Sequence, residues 1–268
     1  MSIIIKTQAQ IDLMRISCKL AAEVLDYIEP YVKPGVTTLE LDKLCHDYIV
    51  NEQKAYPSPL NYQPNPKGPA YPNSICTSVN AEICHGIPND KPLKNGDIVN
   101  LDITVYKNGV HGDTSRTYLV GDKVTPQAKR LVQITYECMW LGINQVKPGN
   151  YLGDIGHAIQ THAEKNAYSV VQEFCGHGIG EGFHEDPQVL HYGKAKTGPQ
   201  LQAGMIFTIE PMINQGKRAV RFSSNGWTAL TKDRSLSAQF EHTILVTPDG
   251  YEVLTISPNM PAIPDFIK

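Results

Sequence analysis

The sequence predicts an α+β fold of two pseudo-symmetric halves, with antiparallel sheet inside and helices outside, and three observations carry that expectation. First, Leu93 to Asp102 (LKNGDIVNLD) aligns without a gap on Leu201 to Glu210 (LQAGMIFTIE), keeping the leucine, the glycine, two apolar positions and a terminal acid. Second, Val32-Lys33-Pro34-Gly35 recurs as Val146-Lys147-Pro148-Gly149, and His85-Gly86-Ile87 recurs as His177-Gly178-Ile179. Both halves thus run in one order: VKPG, helix, HGI, acid-tipped strand. Third, stretches of helical period alternate with hairpin-like stretches, which places helices on one face of a mostly antiparallel sheet. Units this long exceed the about 20–50 residues of a solenoid repeat. No Gly/Ser-rich or charge-rich linker parts them, so a single domain over residues 1–268 is expected, with repeats at about 10–120 and 127–250.

Each element has a local cause. Residues 10–31 carry apolar positions at helical spacing (Ile11, Met14, Leu20, Val24, Leu25, Ile28) and stop at Pro34-Gly35. Residues 37–51 form a second predicted helix, with Thr37 or Thr38 as N-cap and Glu40 in its first turn. Residues 127–146 and 152–166 repeat the pattern. Between the halves' helices and strands, Pro57, Pro59, Pro64, Pro66, Pro69 and Pro72 exclude regular helix and predict a stiff surface loop that could rim a cleft. Strands are expected over 75–79, 97–106, 110–120, 205–213, 219–222, 227–231 and 237–246, with a turn at Asn225-Gly226.

Bulk composition narrows the function classes. Of 268 residues, 41% are hydrophobic and 19% charged, ordinary for a globular protein, and a net charge of −3 gives no electrostatic ground for binding nucleic acid. No apolar run approaches the roughly 18 residues of a membrane span, and the short run Ile3-Ile4-Ile5 is not a signal peptide. Six cysteines without a CxxC pair or disulfide framework suit a reducing compartment, so a cytoplasmic protein is expected.

The chemistry begins at a hairpin. Asn108-Gly109 favours a type I′ turn. Counting back from it pairs Lys107 with Val110, Tyr106 with His111, Thr104 with Asp113 and Asp102 with Ser115. Asp102 and Asp113 then point to one face as diagonal neighbours about 7–8 Å apart, and two facing carboxylates require a cation or a shared proton. By the repeat, Glu210 is the counterpart of Asp102, and Glu241 stands where Asp113 does. Four carboxylates in one site need strong counter-charge, and two divalent metals would supply it. With His177 from the glycine-rich Cys175–Gly180 segment, the set has oxygen and nitrogen donors and no thiolate, which suits Mn, Fe, Co or Zn.

These residues resemble the type I methionine aminopeptidases of the compact bacterial kind, which have the pita-bread fold. The motifs are CHGIP at Cys84–Pro88, NLDITVYKNGVHGDTSRTY from Asn100, GHGIG from Gly176, FTIEP from Phe207 and FEHTILVT from Phe240. The resemblance implies five ligands to two divalent ions: Asp102 chelating one, His177 and Glu210 completing the other, Asp113 and Glu241 bridging. It also implies Glu210 as general base, His85 at the scissile amide nitrogen and His184 at the developing oxyanion. An apolar methionine pocket would be walled by Tyr71, Cys76, Phe183 and Trp227, and Asn80 with Ser237 would hold a monovalent cation. The rim departs from the family: relatives carry another cysteine and tyrosine ahead of Tyr71, where this chain has Asn61-Tyr62-Gln63-Pro64-Asn65-Pro66-Lys67. The implied activity is removal of the initiator methionine from nascent polypeptides with a small second residue, by a monomer in transient contact with the ribosome. The competing enzyme is an X-Pro dipeptidase or aminopeptidase P, which uses the same ligands but carries a large N-terminal domain for which the residues before Gln10 leave no room. A binding protein on a decayed scaffold would have lost ligands, whereas all five residues are present.

Overall fold

The computed structural model describes residues 2–267; Met1 and Lys268, the outermost residues of the expected domain, lie outside the described residues. Four helices follow the expected order: α1 (Gln8–Ile28), α2 (Thr38–Asp47), α3 (Pro126–Ile143) and α4 (Leu152–Lys165). Thr37 caps α2 in a full capping box: its hydroxyl accepts from the Glu40 amide, and Glu40 reaches back to the Thr37 amide. The predicted end of the first helix, at Tyr31, is a single 3₁₀ turn at Glu29–Tyr31, where Pro30 halts the α ladder, and α2 runs into a π turn at Tyr48–Glu52.

The strands are more numerous and shorter than expected. In chain order they are β1 (Tyr56–Pro57), β2 (Cys76–Val79), β3 (Glu82–Cys84), β4 (Ile98–Lys107), β5 (Val110–Leu119), β6 (Ser169–Val170) and β7 (Gly176–Gly178). They continue as β8 (Glu185–Val189), β9 (Ile206–Ile209), β10 (Met212–Asn214), β11 (Val220–Phe222), β12 (Ala229–Thr231), β13 (Ser237–Gln239), β14 (His242–Val246) and β15 (Tyr251–Val253). Two expected strands are each broken in two. The run 205–213 splits at Glu210-Pro211, since proline has no amide to donate to a ladder, and 237–246 splits at Phe240-Glu241, where the chain changes sheets. The glycine-rich segment 175–180 contains β7.

All pairings are antiparallel. In the first half β4 pairs with β5 on one edge and with β1 and β2 on the other; in the second, five strands run in the order β15-β14-β9-β7-β8. The β4–β5 register is the one counted from the turn, down to Thr104 opposite Asp113 and Asp102 opposite Ser115. Asn108 and Gly109 both take positive φ, 54° and 89°, as a type I′ turn requires.

The sequence echo has a hydrogen-bonded counterpart. Gly35 N–H donates to Leu93 and Gly149 N–H to Leu201; Gly96 N–H donates to Val120 and Gly204 N–H to Val246. All four glycines have φ near +90° to +107°, open only to residues without a Cβ. The halves are sewn together where β5 meets the Glu241 crossing. Ser115 and Glu241 exchange main-chain bonds, Thr114 Oγ1 donates to the Glu241 carbonyl at 2.8 Å, and Thr243 Oγ1 donates to the Asp113 carbonyl at 2.7 Å. Helices α3 and α4 pack on the second half over a core that includes Trp140, Phe207 and Ile244. Helix α1 lies on the β4–β5 hairpin over Leu25, Val99 and Ile103.

That last contact is backbone-close. A Cβ at Gly112 in β5 would lie 2.3 Å from the Cys18 amide nitrogen in α1. Overpacking of this kind costs about 1–3 kcal/mol, and each kcal/mol moves the Tm of a chain this size by about 2–4 °C. Gly112→Ala should therefore lower Tm by about 2–12 °C in thermal unfolding followed by circular dichroism, and an unchanged Tm would contradict the packing.

Candidate metal centre and substrate cavity

The four acids arrive from four different places in the fold. Asp102 and Asp113 come from β4 and β5 of the hairpin, Glu210 from the end of β9, and Glu241 from the crossing between β13 and β14. They line one cavity of about 380 Å³ together with His177. Asp113 and Glu241 are out of solvent, at 4% and 2% exposure. Donor atoms of Asp113, His177 and Glu241 all lie within 4.8 Å of one another, and His177 Nε2 stands 3.7 Å from both Asp113 Oδ2 and Glu210 Oε1.

Neighbouring polar groups hold these side chains in place. Thr104 Oγ1 donates to Asp113 Oδ1 at 2.7 Å. Thr208 Oγ1 donates to Glu210 Oε1 at 2.8 Å while accepting from the His177 amide at 2.9 Å, so one hydroxyl ties the histidine to the glutamate. Gln239 Nε2 donates to Glu210 Oε2 at 3.2 Å. His177 Nδ1 donates to the Gly178 carbonyl at 2.9 Å, leaving Nε2 as a lone pair facing the acids.

Electrostatics make the arrangement costly as it stands. Loss of solvation pushes the Asp102 carboxyl up to about 7 and Glu210 to about 8, and with the neighbouring acids' charge it holds Asp113 and Glu241 well above the usual carboxylate range. No lysine or arginine lines the cavity among the described residues. Counter-charge must be brought in, and a donor set of carboxylates and one neutral imidazole fits divalent metal ions.

The cavity wall holds the other residues singled out from sequence. His85, Tyr71, Cys76, Phe183, His184 and Trp227 all line it. His85 sits at φ +54°, its ring edge-on to Phe174 at 5.3 Å. The glycine of each HGI repeat is required by close approach: a Cβ at Gly86 would lie 2.0 Å from the Thr77 carbonyl oxygen, and at Gly178 2.2 Å from that of Asp186. The Tyr71 ring meets Trp227 edge-on at 5.2 Å, and its hydroxyl is 2.8 Å from the Gly86 carbonyl.

Asn80 and Ser237 lie outside this cavity; they adjoin each other, with the Ser237 amide donating to the Asn80 carbonyl at 2.9 Å. Lining residues not singled out as site residues from sequence include Tyr62 in the proline-rich rim, Phe174, and Met212 just past Pro211.

The profile of metallopeptidase family M24 matches residues 12–248. The chain belongs to this family of metallopeptidases, and within it to the methionine aminopeptidases. It is 56% identical over 257 residues to methionine aminopeptidase of Escherichia coli (strain K12), covering 96% of this chain and 95% of that protein. The crystal structure of methionine aminopeptidase from Rickettsia prowazekii is similar with a TM-score of 0.91 and 55% identity, over 95% of this chain and all of that one. The fold is accordingly the pita-bread arrangement. An Xaa-Pro dipeptidase from Bacillus anthracis shares the fold alone, at TM-score 0.70 and 24% identity over 96% of this chain and 63% of the other.

The raised carboxyls set a pH dependence. In metal-free protein they keep protons that the unfolded chain, with carboxyl pKa near 4, has released. A raised folded pKa contributes stability that is lost as pH rises through it. Above about pH 7 the histidines are neutral in both folded and unfolded chains and cancel. Chelator-treated protein should therefore lose Tm between about pH 7 and 8.5, Asp113→Asn should lose less, and added Mn²⁺ should restore wild type but not the variant. Identical pH profiles for the two proteins in differential scanning fluorimetry would refute the coupling.

Proposed function

We propose that this chain is a metalloaminopeptidase that removes the initiator methionine from polypeptides whose second residue is small, its two halves acting as one catalytic unit across residues 1–268. The observation that carries this reading is the meeting, in one cavity, of an uncompensated acid cluster with an apolar wall of Tyr71, Cys76, Phe183 and Trp227. The wall is made of aromatic rings and sulfur, soft surfaces that pack well against an unbranched thioether.

Asp102, Asp113, His177, Glu210 and Glu241 would hold two divalent ions of Mn, Fe, Co or Zn. When bound, the ions would lower the pKa of the attacking water and polarise the scissile carbonyl. Glu210 takes the proton of that water on a carboxylate oxygen that Thr208 and Gln239 keep oriented. His184 donates from Nε2 to the oxygen of the scissile carbonyl as negative charge builds on it, and His85 holds the scissile amide nitrogen. Burial and the neighbouring histidines keep His184 neutral, so it can be a donor at Nε2 without carrying charge. Asn80 and Ser237 would support a monovalent cation away from the reaction. The substrates are nascent N-termini, met by a cytoplasmic monomer in transient contact with the ribosome. No described helix is long and apolar enough to cross a membrane.

Two measurements test the reading. With Mn²⁺ added, Met-Ala-Ser should be cleaved and Ala-Pro peptides left intact; cleavage of only the latter would favour the X-Pro peptidase reading. Glu210→Ala should lower kcat by about 10²–10⁴-fold, the range of a general base, and a change confined to KM would contradict its role.

A further inference from the structure

His177 and His184 are neighbours, with ring centroids 4.2 Å apart, yet their Nδ1 atoms face different partners, a carbonyl and a hydroxyl. His177 Nδ1 faces a carbonyl, which only accepts, so its proton sits on Nδ1 and its Nε2 is a lone pair. His184 Nδ1 lies 2.8 Å from the hydroxyl of Tyr62, which can donate. We propose that Tyr62 is a positioning residue that donates this hydroxyl proton to His184 Nδ1 and so fixes the Nε2–H form, the one that can donate to the scissile carbonyl oxygen. The two histidines of one wall are thereby set to opposite tautomers, one to receive a cation and one to give a hydrogen bond.

The rim is built to hold that hydroxyl still. The Tyr62 amide donates to the Pro59 carbonyl at 3.0 Å, the Tyr71 amide donates to the Tyr62 carbonyl at 2.8 Å, and the Asn61 amide donates to the Tyr71 carbonyl at 2.9 Å. Residues 63–70 therefore leave and re-enter the wall at one pinched base. The Tyr62 ring packs at 4.9 Å on Phe183, 5.2 Å on His184 and 6.5 Å on Trp227. Tyr62→Phe would keep these ring contacts and remove only the proton donor.

The inference rests on the oxyanion role of His184, and the experiment separates the two. In full-length Mn²⁺-loaded protein, Tyr62→Phe should lower kcat about 10-fold, less than the about 10²–10³ lost with an oxyanion donor, with KM and Tm unchanged. In a His184→Gln background the same substitution should have almost no further effect, because its path runs through the imidazole. Independently of activity, ¹⁵N shifts of the His184 ring in metal-free protein should show the Nε2–H form in wild type and a mixture in Tyr62→Phe. A wild-type ring protonated at Nδ1, an unaltered tautomer in the variant, a rise in KM alone, or additive losses in the double variant would each overturn the proposal. An undiminished kcat in His184→Gln would overturn the oxyanion reading instead, while the ring spectrum still decides whether Tyr62 sets the tautomer.

Discussion

Like-charge repulsion among four carboxylates in one cavity is the constraint to which the rest of this structure answers. Ionised together and withdrawn from water, Asp102, Asp113, Glu210 and Glu241 would push the halves apart, and among the described residues no lysine or arginine of the wall opposes them. What holds them is covalent and hydrogen-bonded scaffolding. The hairpin turn locks two of the acids, and the reciprocal threonine bonds across the Ser115–Glu241 junction lock the seam from which Asp113 and Glu241 both project. The scaffold stores an electrostatic demand that a divalent cation meets, and binding of such a cation stabilises the folded chain by mass action.

The seam also explains why strands end where they do. Glu210 follows immediately after β9, Glu241 stands immediately before β14, and Asp102 and Asp113 lie opposite residues of the same ladder. An acid at a strand end keeps its backbone anchored while its side chain leaves the sheet. Pro211 enforces that exit on one side and the change of sheet at Phe240-Glu241 enforces it on the other. Thr208, with one hydroxyl serving both the His177 amide and the Glu210 carboxylate, carries positional information between two strands at little entropic cost.

Much of this is legible in the sequence. The Asn108-Gly109 turn sets register, and side chains alternate with a period of two, so the placement of Asp102 relative to Asp113 followed from counting. The repeat located Glu210 and gave His85 a partner in His177, because glycine-dependent turns and close approaches leave a residue-specific mark. The short strands β3, β6, β8 and β15 were illegible, since two to five residues hold too little alternation to distinguish from loop. The breaks at Glu210 and Glu241 were missed because apolar residues continue on either side of them. Tyr62 escaped because the proline-rich rim has no period at all; its contribution depends on which main-chain groups pinch the loop, and that is a tertiary fact.

The pinched base of the rim has a consequence for how this chain can vary. Since Asn61, Tyr62 and Tyr71 are joined to one another beneath residues 63–70, and the Pro69 carbonyl accepts from Trp227 Nε1 of the cavity wall, the tip at residues 64–67 is the part of the rim whose length can change without moving those anchors. Lengthening a surface loop adds only slowly to the entropy of closing it. This makes residues 64–67 a natural port for inserted sequence: an epitope, a fluorescent label or a tether placed there would ride beside the cavity mouth and leave the Trp227–Pro69 contact in place.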